Sequence, residues 1–165
     1  MTREWGNRIV GHGTKPASQF MPNDKNWRLH PKSQQDALRG ALNEVGWVAP
    51  VVENIRSGML VDGHERVWQA LQNNDSDVPY IEVDLSEEEE AYVLATLDPI
   101  GAMAQADAKK VDELLAEVKT QEEGIEGLLL SMAQTLPPEF REYDETVEGT
   151  VEYITCPECG HKWPK

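Results

Sequence analysis

The stretch LVDGHERVWQAL, from Leu60 to Leu71, sets a group of polar residues between two apolar runs. The apolar residues before Asp62 are typical of a short β-strand, and the apolar spacing after Gly63 predicts an α-helix. Asp62 is predicted to N-cap that helix, with Glu65 as its capping-box partner. Three apolar side chains of the helix are predicted to face the core: Val67, Ala70 and Leu71. The sequence therefore predicts a strand, a turn and a helix in direct succession.

This turn has the chemistry of an anion site. A glycine between a strand and a helix lets the backbone approach a ligand, and the first N–H groups of the helix carry partial positive charge. A charge-assisted hydrogen bond from Arg66, worth about 1.5 to 3 kcal/mol, exceeds the roughly 0.3 to 1 kcal/mol of a helix terminus. Arg66 is therefore predicted to dominate affinity. The local spacing leaves an alternative open, in which Asp62 and Glu65 only cap, His64 is exposed and Arg66 pairs with a surface acid.

The segments on either side of the turn predict a mixed α+β fold. Ser33 with Asp36 resembles a capping box for a helix that ends at Gly46, and Ser86 with Glu89 opens a later helix. Strands are predicted at 8–11, 47–53, 59–61 and in VPYIEVDL (78–85), and further helices at 107–119 and in IEGLLLSMAQ (125–134). We expect a small mixed sheet flanked by helices, followed by a helical C-terminal extension and a short tail.

Charge is divided unevenly along the 165 residues, whose formal net charge is −15. Residues 1–66 hold nine Lys/Arg against seven Asp/Glu, whereas residues 67–165 hold six against twenty-three. Exposed charges are screened beyond about 8 Å at physiological salt, so a local basic pocket can still bind an anion. A broad DNA-tracking face needs many clustered cations. DNA binding is therefore expected to be weak or indirect.

The use of cysteine and the apolar runs predict the cellular setting. Both cysteines lie in the last ten residues, and no Arg-rich or apolar leader precedes the predicted fold. No apolar run approaches the roughly 20 residues of a membrane-spanning helix. We expect a soluble, cytoplasmic protein that makes no membrane contact.

The tail, CPECGHKWPK, resembles one zinc knuckle. Cys156, Cys159 and His161 offer three ligands, and structural Zn²⁺ prefers four. The fourth position is open to a second chain, which would make a homodimer through the tail, or to water. A dithiol without metal is the alternative.

The order of motifs resembles the N-terminal domain of the ParB/sulfiredoxin superfamily, in the compact ParB-like (ParB-like nuclease) form of phages and mobile elements. Asn26-Trp27-Arg28 matches its Asn-x-Arg box, the helix and the GWVAPV strand follow, and Gly63-His64-Glu65-Arg66 matches its Gly-x-x-Arg phosphate box. The resemblance implies a ParB-like nucleotide-binding domain at 8–104. Periodicity and composition predict a helical extension at 105–136, an acidic linker at 137–154 and the zinc-knuckle-like tail at 155–165.

The resemblance also implies a ligand, which is a nucleoside triphosphate (CTP or ATP) with Mg²⁺. It assigns nucleotide binding to Asn26, Arg28, Gly63, His64 and Arg66. Glu65 is placed to position a water or the metal as the catalytic residue, with a purely capping glutamate as the alternative. Trp27 either packs or lies beside a bound base.

The implied function is nucleotide binding, with or without hydrolysis, in a DNA-related process of a phage or mobile element. Two alternatives stay open: a DNA nuclease that needs Mg²⁺ and a DNA-modifying protein partner, and a non-catalytic protein-interaction module. A chromosome-partition role is disfavoured because no basic helix pair follows the domain. Sulfinic-acid reduction is disfavoured because His64 stands where sulfiredoxin has cysteine.

Overall fold

The structure of the protein is a computed structural model that describes residues 4–135 and, for the backbone alone, residues 153–155 and 162–164. Strands and helices alternate in the first half, and helices dominate the second. The elements in chain order are β1 (Ile9–Pro16), a 3-10 turn (Ala17–Gln19), α1 (Lys32–Val45), β2 (Val51–Asn54), β3 (Met59–Asp62), α2 (His64–Gln72), β4 (Asp77–Val83), α3 (Glu87–Ala102), α4 (Ala108–Glu117), α5 (Glu123–Thr135), β5 (Tyr153–Thr155) and β6 (Lys162–Pro164). The predicted α+β class is confirmed.

The main sheet is mixed, with strand order β1-β4-β2-β3. β4 runs parallel to β2 and antiparallel to β1, and β2 forms an antiparallel pair with β3. Parallel neighbours need a crossover connection, and here β3 and α2 together carry the chain from β2 to β4. This topology places the turn between β3 and α2 beside an outer strand of the sheet, where it is open to a ligand.

Apolar side chains form two buried clusters. The larger joins the 3-10 turn, β2 and α2, and its members are Ala17, Phe20, Val51, Leu60, Val67, Ala70 and Val78. The smaller joins β3, β4 and α3 through Val61, Val83, Leu85 and Leu94. The prediction that Leu71 faces the core is wrong. Its side chain is 37% exposed, whereas Gln69 is 6% exposed, because the buried face of α2 turns toward Gln69 in the last turn of this short helix.

The capping box predicted at the start of α1 is wrong. α1 begins at Lys32 with Pro31 as its N-cap, and no side chain caps it. Pro31 takes the N-cap position two residues before Ser33, and its φ of −65° already suits a helix start. Asp36 instead pairs with Lys32 and Arg39. Gly46 ends the helix as predicted.

The capping box predicted for α3 is confirmed. The backbone N–H of Glu89 donates to the Ser86 hydroxyl at 3.3 Å, and the Glu89 carboxylate accepts from the Ser86 N–H at 2.8 Å. α3 then continues through Pro99 to Ala102, beyond the predicted segment. None of the helices in the described part of the chain is both long enough and apolar enough to cross a bilayer.

Contacts with distant segments determine the extent of β1 and the position of α5. β1 runs to Pro16 rather than residue 11, because it pairs with β4 along its whole length. α5 has 13 residues and packs tightly against α1. A Cβ at Gly124 would lie 2.5 Å from the backbone carbonyl of Asp36, and one at Gly40 would lie 3.0 Å from Ile125. The helical extension therefore packs directly on the helix that precedes the sheet hairpin.

Candidate functional site

The turn between β3 and α2 requires glycine. Gly63 is the N-cap of α2, with φ +90° and ψ 19°, in the left-handed region. A Cβ there would lie 2.5 Å from Cγ1 of Val51, a buried residue of β2. The backbone of the turn is thus pressed against the sheet, and only a residue without a side chain fits.

No side chain caps α2, so the predicted capping box of Asp62 and Glu65 is wrong. Gly63 takes the N-cap position, which leaves Asp62 as the last residue of β3. Its carboxylate Oδ2 accepts from Nη2 of Arg66 at 2.6 Å. Glu65 accepts instead from Nε2 of Gln69, one turn later, at 2.7 Å. The first turn of α2 is consequently left without a carboxylate on its N–H groups.

Two arginines lie beside this turn. Nη1 of Arg28 contacts Asp98 Oδ2 at 2.7 Å and Asp62 Oδ1 at 3.9 Å, so Asp62 bridges Arg28 and Arg66. Their side chains are 16% and 23% exposed. The Nε atoms of both are buried and make no hydrogen bond within the described residues. The two guanidinium groups are held in place by carboxylates and keep unused donor capacity.

His64 is fixed in one tautomer when neutral. Its Nε2 accepts from the backbone N–H of Asn23 at 3.1 Å, which leaves the ring proton on Nδ1. Burial lowers the pKa of His64 below its ordinary value; the Asp62 carboxylate opposes the shift, and the charges of Arg28 and His30 add to it. Neutral His64 is therefore favoured beside the two arginines.

A buried polar network supports the loop that carries Arg28. Glu90 is 4% exposed and accepts from Nδ2 of Asn23 at 3.1 Å, from Nδ2 of Asn54 at 2.6 Å and from the Ser57 hydroxyl. Asn23 in turn holds His64 through its backbone. Sequence reasoning missed Asn23, Asn54, Glu90 and Asp98, whose contacts join segments 31 to 70 residues apart, beyond the reach of any local pattern.

The Asn-x-Arg box is divided in the structure. Arg28 points to the α2 turn, whereas the Asn26 side chain accepts from the Arg28 N–H at 3.4 Å and does not line the cavity described below. Trp27 is 61% exposed, and its indole Nε1 donates to the Leu94 carbonyl at 3.1 Å. The Arg28 guanidinium lies 5.7 Å from the Trp27 ring centroid. Asn26 thus bonds within its own loop, and Trp27 is anchored to α3 by its indole N–H while most of its ring stays exposed.

One open cavity of about 1400 Å³ brings these groups together. Three elements surround it: the first turns of α1, the N-terminal turn of α2, and α5 with the residues just before it. The charged and imidazole side chains that line it near the α2 turn are Arg28, His30, Asp62, His64, Glu65, Arg66 and Asp98. The arrangement can bind an anion through the arginines and the free first turn of α2.

The predicted metal ligands of the tail, Cys156, Cys159 and His161, lie outside the described residues. Within the described residues, no group of three or more His, Cys, Asp or Glu side chains is arranged to hold a metal ion by itself. A metal at the α2 turn would therefore need further ligands, from water or from a bound molecule.

The fold resembles solved ParB structures. The C-terminally truncated chromosome-partitioning protein ParB from Caulobacter crescentus, complexed with CTP-γ-S, matches with a TM-score of 0.54 and 18% identity over 86% of this chain and 88% of that one. Two structures of pNOB8-like ParB N-domains match at 16% identity and a TM-score of 0.48, over 96% and 98% of this chain. This chain spans 59% and 56% of their lengths. Neither a family model nor a curated protein matches the sequence.

The likeness to the Caulobacter crescentus structure identifies the class of fold. The chain has the α+β fold of the ParB N-terminal domain, as the order of its sequence motifs predicted.

Proposed function

We propose that the chain binds a nucleoside triphosphate, CTP or ATP, with its phosphates at the β3–α2 turn. The observation that carries this proposal is the convergence of Arg28, Arg66 and the uncapped first turn of α2 on one cavity. The fold it shares with a ParB that binds CTP-γ-S supports the proposal. His64 adds its Nδ1–H as a donor at the same point.

Mg²⁺ accompanies the triphosphate in this proposal. It prefers carboxylate and phosphate oxygens and is usually held by only one or two protein carboxylates. Asp62, Glu65 and Asp98 line the same cavity and are suited to this. A metal that engages them would also weaken their hold on the arginines, which would then turn to the phosphates.

Arg66→Ala tests the binding proposal. Loss of a charge-assisted hydrogen bond, about 1.5 to 3 kcal/mol, predicts a drop of roughly 10-fold to 100-fold in affinity for CTP or ATP, measured by calorimetric titration with Mg²⁺. Arg56→Ala is the matched control, because Arg56 pairs with Asp84 outside the cavity. Circular dichroism checks that both variants fold. Equal binding by Arg66→Ala and the parent would contradict the proposal.

Hydrolysis is the catalytic part of the proposal, and Glu65 is its candidate residue. Its carboxylate lines the cavity at the start of α2, where it can orient a water toward the terminal phosphate. We expect phosphate release with Mg²⁺ from the parent and none from Glu65→Gln, which should still bind nucleotide. Equal release from both would assign Glu65 to the helix surface alone, where it accepts from Gln69.

The same assay separates the alternative functions. Phosphate release that depends on DNA would favour a role in a DNA-related process of a phage or mobile element, in the cytoplasm. Cleavage of DNA with Mg²⁺ and a DNA-modifying partner would favour the nuclease. Binding without turnover would favour an interaction module. Because most acidic residues follow Arg66, we expect weak, salt-sensitive duplex binding by the isolated chain in every case.

The tail is proposed to bind Zn²⁺ through Cys156, Cys159 and His161. β5 ends at Thr155 and β6 begins at Lys162, and these two strands, which flank the three residues in the sequence, form an antiparallel pair. Half a zinc per chain in a dimer would support a four-thiolate site shared by two chains. One zinc per monomer would support His161 and water as the remaining ligands, and protein free of zinc would contradict the proposal.

A further inference from the structure

Helices α1 and α5 enclose part of the cavity that the phosphates would not fill. The two helices touch where Gly124 of α5 meets the Asp36 backbone, with 2.5 Å between a Cβ built on Gly124 and the carbonyl. One turn further along α5, a Cβ on Gly127 would meet no atom within 4 Å. Both glycines line the same cavity. α5 therefore meets α1 closely at Gly124 and is open to the cavity at Gly127, and the part of the cavity that both helices line is called the cleft.

This cleft differs in chemistry from the α2 turn. Among the polar and charged side chains of its walls it also carries apolar ones, which are Ala37, Leu38, Ala41, Ile125 and Leu128. It belongs to the same continuous cavity as Arg28 and Arg66. Ligand pockets are commonly about 300 to 1,000 Å³, so the cavity of about 1400 Å³ has room for more than a phosphate group.

We infer that the cleft between α1 and α5 holds the nucleoside part, the base and sugar, of the nucleotide whose phosphates bind at the α2 turn. The inference rests on the proposed function and adds the helical extension to the ligand site. An apolar wall suits the faces of a base, since every base has an uncharged π-face. Ile125 and Leu128 of α5 supply that wall opposite α1.

Charged side chains line both ends of the cavity. Arg28 and Arg66 lie at the α2 turn together with Asp62, Glu65 and Asp98. Lys32 and Arg39, both paired with Asp36, lie along α1, and Glu122 and Glu123 lie where α5 begins. Carboxylates repel phosphates and accept hydrogen bonds from amino and hydroxyl groups. Cytosine and adenine both carry an exocyclic amino group that can donate to such an acceptor. In this inference the uncapped first turn of α2 takes the phosphates, and Glu122 or Glu123 accepts a hydrogen bond from the nucleoside.

Gly127→Leu tests the inference by filling the cleft. Gly127 is helical and has open space around it, so leucine fits without strain and is a better helix former. Gly101→Leu is the matched control, because Gly101 is also a helical glycine in open space but does not line the cavity. Titrations of the full chain with CTP, ATP and inorganic tripolyphosphate, each with Mg²⁺, compare nucleoside and phosphate binding.

We expect Gly127→Leu to lose at least 10-fold in affinity for CTP or ATP while it binds tripolyphosphate like the parent. Gly101→Leu should match the parent for all three ligands. Nucleotide binding by Gly127→Leu at the parent's affinity would overturn the inference and leave the proposed function standing. Equal losses for nucleotide and tripolyphosphate would overturn the separation of the two subsites. A parent that binds neither ligand would overturn the proposed function, and the inference with it.

Discussion

The N-termini of α2 and α3 both follow a strand of the same sheet, but they are completed in opposite ways. In α3, residues of the helix itself cap the N-terminus: Ser86 and Glu89 form a capping box, and four glutamates lie in the first turn. α2 begins with a left-handed glycine, has no side-chain cap, and has arginines beside it. Since the positive end of a helix attracts negative charge, α3 has supplied that charge from its own sequence. Within the described residues no side chain caps the first N–H groups of α2, and these groups can therefore donate to a bound phosphate.

The two termini are also connected. Glu90, in the first turn of α3, holds Asn23, and the Asn23 N–H holds His64 at the start of α2. The first turn of α3 therefore helps to hold the first turn of α2 in place. This comparison predicts that substitutions at α3 change stability, whereas substitutions around α2 divide into those that disturb the turn and those that change only its charge.

The largest expected effect is that of Gly63→Ala. The Cβ of alanine would clash with Val51, and alanine would also have to adopt a φ of +90°. Left-handed strain and overpacking each cost about 1 to 3 kcal/mol, so we expect the free energy of unfolding in urea to fall by about 3 kcal/mol. Gly58→Ala, at φ +68° with no atom within 4 Å, should lose only the strain contribution. Equal losses for the two variants would show that the turn is not pressed against β2.

Glu90→Gln comes next. Burial by itself raises the pKa of Glu90, but hydrogen bonds from Ser57, Asn54 and Asn23 outweigh it, and the net pKa lies below the ordinary value of 4.5. The unfolded chain therefore takes up the proton first as the pH falls. The stability that Glu90 contributes is fully present above about pH 4.5 and is lost as the pH falls through its lowered folded pKa.

We expect Glu90→Gln to lower the free energy of unfolding at pH 7 by about 1 to 3 kcal/mol, because an amide nitrogen would face donors in a buried site. The decline in stability below pH 5, followed by urea unfolding, should become shallower than in the parent. Glu87→Gln is the control, since Glu87 lies in the same turn but its side chain is 86% exposed. An unchanged acid slope in Glu90→Gln would contradict the assignment.

Ser86→Ala should have a smaller effect, confined to stability. Loss of an N-cap costs about 1 kcal/mol, and Ser86 does not line the cavity, so nucleotide affinity should stay at the parent's value. Ser33→Ala offers a sharp control. Its sequence context resembles that of Ser86, but the structure gives Ser33 no capping role, and thermal unfolding should be unchanged. Equal destabilisation by the two substitutions would mean that Ser33 caps α1 after all.

The sequence was informative where a motif is contiguous. Gly63, His64, Glu65 and Arg66 follow one another, so a strand-turn-helix pattern is enough to place them, and the motif order was enough to predict the ParB-like fold. The exact helix start was not predicted at α1 or α2. The sequence patterns predicted Ser33 and Asp62 as the N-caps, whereas the N-caps in the structure are Pro31 and Gly63.

Contacts between distant segments could not be predicted in this way. Asp98 meets Arg28 across 70 residues, and Asn23 meets Glu90 across 67. Neither pair leaves a periodic or spacing signal, since each depends on how α3 packs against the loop after the 3-10 turn. The position of α5 on α1 depends likewise on the close approach of the two helices at Gly124 and Gly40. A single glycine within a helical pattern does not predict such a contact.

Asp98→Asn is expected to have the smallest effect, and its direction is opposite to the others. Asp98 holds the Arg28 guanidinium at 2.7 Å with a side chain 49% exposed, so a phosphate must displace this carboxylate to engage Arg28. An exposed ion pair is worth about 0 to 1 kcal/mol. Its removal should therefore raise affinity for CTP or ATP by up to about fivefold when Mg²⁺ is absent. With Mg²⁺ present the gain should shrink, because the metal would engage the carboxylate and release Arg28. Asp84→Asn makes the same change of charge at a more exposed ion pair with Arg56, away from the cavity, and should leave affinity unchanged. Weaker Mg²⁺-free binding by Asp98→Asn would show that Asp98 orients Arg28 for the ligand instead of competing with it.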